Sequence, residues 1–281
     1  MTAFGVQGSS PLVSGVPDPS HYRQIAQAAE AAGFDSLWAS DHVAFHHPLL
    51  DVMVALATFA AVTDRIRLGA GVLLLPLRAP ALVAREFASL DYVSGGRVIL
   101  GVGVGGEHPA DFEAVGVPVG ERGARTNESM RVLRGLFARE APAPAQPNGP
   151  PLWVGGRSDA AIRRAAHLGD GWMPLWVSPE RYAEGLARVG RERTAAVVLP
   201  TFVGGTTEEA RVSLSHRYGT EFSTRAVERY CVVGSHAQCA ERVAEYVAAG
   251  AEHVVFHPAV DPNRLRDQVE LLAEVVSAAA R

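Results

Sequence analysis

Ala31-Ala32-Gly33-Phe34-Asp35-Ser36-Leu37-Trp38 and Ala248-Ala249-Gly250-Ala251-Glu252-His253-Val254-Val255 repeat one device at opposite ends of a 281-residue chain. Each reads as a helix end, a glycine that closes the helix in a left-handed conformation, and the start of a strand. Between them the pattern recurs. Apolar runs rich in branched residues lie at 3–7, 35–39, 66–75, 97–104, 151–155, 171–176, 194–203 and 252–258, and each is followed by a stretch with helical spacing. Eight strands and eight helices are predicted. The strands are nearly continuous apolar runs such as Val98-Ile99-Leu100-Gly101-Val102, the pattern of parallel strands covered on both faces. The C-terminal helix instead carries one stripe, Leu265, Val269, Leu272, Val275, Val276 and Ala279. Length alone leaves one or two domains open. The same device in the first and eighth units favours closure, and the expectation is an α/β fold: a single (β/α)8 TIM barrel domain spanning residues 1–281.

Two short insertions exceed the minimal unit. Residues 105–120, after the fourth strand, hold Gly105, Gly106, Pro109, Gly116 and Pro118, and they follow a strand's C-terminal end, so they are assigned to the active-site wall. Residues 140–150, after that strand's helix, read by composition as a proline-rich linker. A further helix is expected at about 236–249, ahead of the eighth strand.

All 26 basic residues are arginine, which removes lysine Schiff-base chemistry, pyridoxal-phosphate enzymes and phosphate-loop NTPases. A net charge of −4 offers no basic surface, so neither nucleic acid nor an anionic membrane is expected as a partner. Cys231 and Cys239 are too few for a disulfide framework and read as ordinary thiols in a reducing cytosol. No run approaches the ~20 apolar residues of a membrane span, and the first residues lack a charged n-region. A cytoplasmic protein is expected.

Barrel chemistry sits at the C-terminal ends of strands. Asp41 and His42 end the second strand, where an imidazole can move a proton near neutral pH; they read equally as a helix cap and a loop histidine. Glu107 ends the glycine run of the fourth strand and reads as a catalytic acid or as a solvated loop residue. Gly155-Gly156-Arg157-Ser158 joins the fifth strand to a helix start, a pattern that serves an anion site or plain capping. His42, His46, His47, His253 and His257 do not open with the His-x-His of metal-dependent barrel hydrolases, since the first strand reads Phe4-Gly5-Val6-Gln7-Gly8; no metal is expected. Phe45, Val104, Phe112, Val115 and Val117 are expected to give the pocket an apolar far wall, suited to a neutral or hydrophobic small molecule.

Ser40-Asp41-His42, the Gly-Ala-Gly-Val-Leu run from Gly69, Gly101-Val102-Gly103-Val104-Gly105-Gly106-Glu107, Glu121-Arg122-Gly123-Ala124-Arg125-Thr126 and Gly169-Asp170-Gly171-Trp172 occur in that order. In this order and spacing the chain resembles the bacterial luciferase-like superfamily throughout its length, and more narrowly its coenzyme F420-dependent branch, in which an Asp-His pair ends the second strand. The resemblance implies an oxidoreductase that transfers a hydride between F420 and a small organic substrate, and a homodimer. It implies that Asp41 contacts the deazaflavin ring, that His42 is the acid or base beside it, and that Glu107 is a proton donor. It further implies a cis peptide between Gly71 and Val72 behind the ring, Gly103 and Gly105 beside it, and the coenzyme phosphate on Gly155, Gly156, Arg157 and Ser158. Two departures stand out: no lysine is present to meet an anion, and His46 stands where some relatives place a tryptophan. An FMN-dependent monooxygenase or reductase on the same fold is the alternative; a non-catalytic flavin-binding protein and a metal-dependent barrel hydrolase rank below it.

Overall fold

The computed structural model describes residues 1–9, 20–139 and 143–279. Among the described residues nine strands lie in one parallel sheet: β1 (Ala3–Gln7), β2 (Ser36–Ala39), β3 (Arg67–Leu74), β4 (Val98–Gly103), β5 (Leu152–Gly155), β6 (Gly171–Met173), β7 (Thr194–Val203), β8 (Val232–Gly234) and β9 (His253–Pro258). Eight of them close the predicted barrel, running β1 to β7 in chain order and then through β9 back to β1. The closing registers pair Ala3 with His253 and Gly171 with Thr194.

The extra strand follows from unequal lengths. The sixth strand, expected over 171–176, ends at Met173 because Pro174 has no amide to donate to a ladder. Only the single bridge Leu175–Val198 continues it. The far edge of the longer β7 would then be bare, and Val232–Gly234 pairs with Thr201–Val203 there, while β9 holds the other edge as far as Thr201.

The described helices are α1 (His21–Ala31), α2 (Val52–Val62), α3 (Pro80–Ser94), α4 (Pro109–Val115), α5 (Arg122–Phe137), α6 (Asp159–Leu168), α7 (Pro179–Val189), α8 (Thr207–Tyr218), α9 (Thr224–Tyr230), α10 (His236–Ala248) and α11 (Leu265–Ala279). The short α4 lies inside the predicted insertion 105–120, and α9 was not foreseen. Gly33 and Gly250 take φ of +83° and +104°, the left-handed values their place in the repeated device demands. Residues 140–142 lie outside the described residues, and the remainder of the expected linker is fastened rather than loose. The Gln146 amide donates to Asp91 Oδ2 at 2.8 Å, and its side-chain Nε2 donates to Asp91 Oδ1 and the Val98 carbonyl, both at 2.7 Å. Composition does not show this, because one glutamine makes all three bonds to α3 and β4.

Two apolar layers result. Side chains facing outward from the strands meet the helices in the larger core, which includes Leu37, Phe59, Phe87 and Leu272. Those facing inward, Trp38, Ile99, Trp153, Met173, Val198 and Val255, fill the barrel beneath its C-terminal mouth. Within this layer Trp38 Nε1 donates to Ser36 Oγ at 2.7 Å, and Ser36 Oγ lies 2.7 Å from His253 Nε2. Buried polar atoms are thereby paired, which fixes the packing of the lower barrel. Among the described residues no helix is long and apolar enough to cross a membrane.

Candidate active site

The site begins with a steric requirement. The Gly71–Val72 peptide is cis, as the resemblance implied, and the β3–β4 register shifts between Ala70 and Leu73. Val72 lies against the ends of the next two strands. A Cβ on Gly103 would stand 2.3 Å from Val72 Cγ2, and one on Gly155 would stand 2.8 Å from Cγ1. Both positions therefore need glycine to admit the valine, whatever else they touch.

Above Val72 a cavity of about 320 Å³ opens at the C-terminal mouth of the barrel. Every residue expected to bind or react lines it: Asp41, His42, Gly71, Val72, Gly103, Gly105, Glu107, Gly155, Gly156, Arg157 and Ser158. The roles open to them differ with their partners.

Asp41 is buried, and its carboxylate is already engaged. Oδ1 accepts from Arg78 Nη2 at 2.7 Å, while Oδ2 accepts the Leu74 amide at 2.9 Å and Arg78 Nε at 3.4 Å. Arg78 Nη2 also reaches Asp51, the cap of α2, at 3.2 Å. Burial alone would lower the Arg78 pKa, but Asp41 and Asp51 outweigh it and raise it, so the guanidinium keeps its charge. Asp41 thus ties the end of β2 to the end of β3. Arg78 was missed in the sequence.

His42 has a partner of its own. Its Nδ1 lies 2.8 Å from Asp111 Oδ2, and Asp111 Oδ1 accepts the amides of Val43 and Ala44 at 2.7 and 2.8 Å. Asp111 is only 2% exposed, in the first turn of α4. Burial pushes its carboxyl up, but the Ala44 amide, His42 and the Val43 amide together hold it below the usual carboxylate value. An ionised carboxylate only accepts, so Nδ1 carries the hydrogen and Nε2 is left for the cavity. The ring stacks on Phe45 with centroids 4.3 Å apart and meets His108 edge-on at 5.1 Å. Burial and the neighbouring His42 lower the His108 pKa, which favours the neutral imidazole.

At the opposite wall Gly156 takes φ of +97°. Its carbonyl accepts Trp172 Nε1 at 2.9 Å, and Ser158 caps α6 by accepting the Ala161 amide at 3.2 Å. Capping is therefore present, and first-turn amides of α6 still lack intrahelical acceptors. Arg157 Nη1 donates to the Trp176 carbonyl at 2.8 Å, which directs the guanidinium along the cavity rim.

Glu107 is exposed at the rim. Of the expected apolar wall only Phe45 and Val104 line the cavity; Phe112 is buried, with its ring 3.1 Å from where a Gly105 Cβ would be, and Val115 is turned to the surface. Helix α4 explains the correction, because the loop coils instead of running along the mouth. His46 also stands outside this cavity, packed on Phe45 and His108. His257 lines it, and burial, aided by Arg217, pushes its pKa down to about 3. Among the described residues no three His, Cys, Asp or Glu side chains are grouped to hold a metal ion. Two motifs of the resemblance serve the fold instead: Asp170 accepts from Arg134 and the Leu152 amide, and Arg125 donates to the Pro76 carbonyl.

A closed parallel barrel with its polar residues gathered over a glycine-walled valine at the strand ends has the layout of a (β/α)8 enzyme. The luciferase-like monooxygenase model matches residues 1–224, and the chain belongs to that family. It is 37% identical over 215 residues to an uncharacterized protein of Mycobacterium tuberculosis, covering 64% of this chain and 73% of that one. It is 30% identical over 309 residues to the F420-dependent glucose-6-phosphate dehydrogenase of Kineococcus radiotolerans, covering 89% and 90%. Among solved structures, a monooxygenase from Streptomyces bottropensis superposes with a TM-score of 0.83 at 21% identity, over 99% of this chain and 100% of that one. An F420-dependent secondary alcohol dehydrogenase superposes with 0.81 at 18% identity, over 99% of each chain.

Proposed function

We propose that the chain is an F420-dependent oxidoreductase that moves a hydride between the deazaflavin and a small organic substrate. The observation that carries this reading is Val72, seated between Gly103 and Gly155 as an apolar platform with His42–Asp111 on one side and the start of α6 on the other. A flat ring bearing a phosphate chain matches that set: an apolar floor, an imidazole wall and a helix start with glycine beside it. The relative from Kineococcus radiotolerans, named as F420-dependent and alike over most of both chains, supports the choice of coenzyme.

When bound, F420 supplies a two-electron hydride carrier at carbon, so the protein's own work is binding, orientation and one proton. Gly156, with positive φ and no Cβ, lets the backbone approach the phosphate, and Arg157 supplies positive charge where the chain has no lysine. His42 Nε2 holds or receives the proton. Asp111 is its positioning residue, fixing tautomer and ring plane through Nδ1. Asp41, through Arg78 and the Leu74 amide, holds the strand end that carries Val72. Glu107 faces the substrate side of the mouth.

The chain is also read as a homodimer. Val54 on α2 and Leu82, Tyr92 and Val93 on the neighbouring α3 are exposed apolar side chains, more than a lone surface helix needs.

Anaerobic fluorescence titration with F420 and with FMN tests the coenzyme. Saturable F420 binding that weakens in Gly156→Val, with FMN binding weaker, is the expected result. FMN binding tighter than F420 replaces this reading with the flavin one.

A further inference from the structure

A second cavity, of about 530 Å³, opens beside the first and shares Glu107, His108, Arg157, Trp176 and Tyr218 with it. Its outer wall is Phe222 with Ala226 and Tyr230 of α9. The aromatic side chains form one cluster. Trp176 and Phe222 have ring centroids 5.0 Å apart and tilted by 35°, Trp176 meets Tyr218 edge-on at 5.9 Å, and Tyr218 lies 5.7 Å from Phe222. All three pack on the satellite core of Phe202, Leu214 and Val227, outside the layers that close the barrel.

Trp176 stands at the partition between the cavities with φ of +60°, a left-handed conformation that a bulky residue adopts only at a cost. The Arg157 guanidinium, donating to its carbonyl, holds it there. Such strain gathers at ligand clamps. At the shared neck stand one carboxylate, Glu107, and one guanidinium, Arg157, so neither sign of charge is preferred.

We propose that this second cavity is the substrate's specificity pocket and takes a flat, uncharged system of two or three fused rings, stacked against Trp176 and Phe222. Aromatic faces favour offset or edge contacts with another flat ring. The volume falls in the range of about 300–1,000 Å³ that accommodates ligands of that size, whereas a three-carbon ketone would leave most of it to water. The neck then directs one end of the ring system toward His42. As an assignment of substrate, the inference rests on the oxidoreductase reading; as a binding site, it stands without it.

The test is calorimetric titration of the full chain, without coenzyme, using 9-anthracenemethanol and 2-naphthol as neutral flat probes and glucose as the neutral, non-planar control. Saturable one-site binding of the anthracene probe is expected, with none of the sugar. Trp176→Ala should weaken the probe roughly tenfold or more and Phe222→Leu roughly threefold, the scale of loss expected when a stacking face is removed. Phe222→Tyr, which keeps the ring, should restore binding, and F420 affinity should stay within about twofold in both Phe222 variants, because Phe222 lines the second cavity and not the first. Absence of probe binding to the parent chain, or equal binding to Trp176→Ala, overturns the proposal. Variants that weaken F420 instead of the probe also overturn it and give the cavity to the coenzyme's tail. A failure of the oxidoreductase reading is distinguishable, because it shows as loss of F420 binding by the parent chain while the probe titration stands.

Discussion

Asp111→Asn should slow turnover while leaving the coenzyme in place. The carboxylate accepts three hydrogen bonds in a nearly solvent-free position, from His42 Nδ1 and from the amides of Val43 and Ala44. Asparagine keeps the shape and one acceptor oxygen, enough for the two amides, but turns its NH2 toward Nδ1. That nitrogen must then become an acceptor, and the hydrogen moves to Nε2, on the side of the cavity. The protonation pattern that His42 offers the substrate is inverted without moving the ring. General acid–base groups contribute about 10²- to 10⁴-fold, so kcat should fall within that range. F420 affinity should stay within about threefold, because Asp111 lies behind the imidazole. Anaerobic stopped-flow absorbance of F420 gives the rate, and nitrogen NMR of the His42 ring gives the tautomer. A variant that folds, shows the inverted tautomer and turns over within about threefold of the parent across the pH range refutes the assignment of the proton to His42, since an acid–base role is worth far more. Unchanged kcat with an unchanged tautomer refutes the positioning role of Asp111.

Gly103→Ala should lower the melting temperature, since the added methyl would lie 2.3 Å from Val72 Cγ2 and overpacking costs about 1–3 kcal/mol. Adding Val72→Ala should recover part of that loss, and a double-mutant cycle with no coupling would separate the two residues. Gly156→Val should raise the F420 dissociation constant at least about tenfold, through a φ of +97° that valine resists and a blocked backbone approach; unchanged affinity moves the phosphate elsewhere. Acid should destabilise the fold through His253, whose pKa is pushed from 6.5 down to about 4 by burial, with Arg67 adding to it. The unfolded chain takes up this proton as pH drops below 6.5 and the folded chain does not, so the stability present above 6.5 is lost progressively down to about pH 4. At about 1.4 kcal/mol per pH unit the loss is about 3 kcal/mol, and His253→Asn should flatten that part of the urea-denaturation profile. Val93→Arg should shift the sedimentation of a dimer to that of a monomer; a parent chain that is already monomeric removes the dimer reading.

The barrel was legible because its instructions are local and repeated. Gly33 and Gly250 close their helices in the conformation their sequence context calls for, and the apolar runs mark all eight barrel strands. What escaped depended on distance along the chain. Arg78 meets Asp41 from 37 residues away, and Asp111 meets His42 from 69, and alone each reads as an ordinary loop or first-turn charge. Asp111 did leave one trace: it precedes Phe112 in a segment already assigned to the catalytic mouth, and an acid beside a core aromatic needs a partner. Gly103 and Gly155 were found for an incomplete reason, since sequence shows a missing side chain but not the Val72 methyls that occupy its place. The nearest acid to His42 in sequence, Asp41, is spent on Arg78, and the carboxylate that orients the imidazole arrives on the insertion after β4. That insertion also carries Glu107 and His108 into the wall shared by both cavities. A change that shifts residues 107–111 should therefore act on the proton and on the substrate pocket together, because Glu107 and His108 of the shared wall lead directly into the helix turn that carries Asp111.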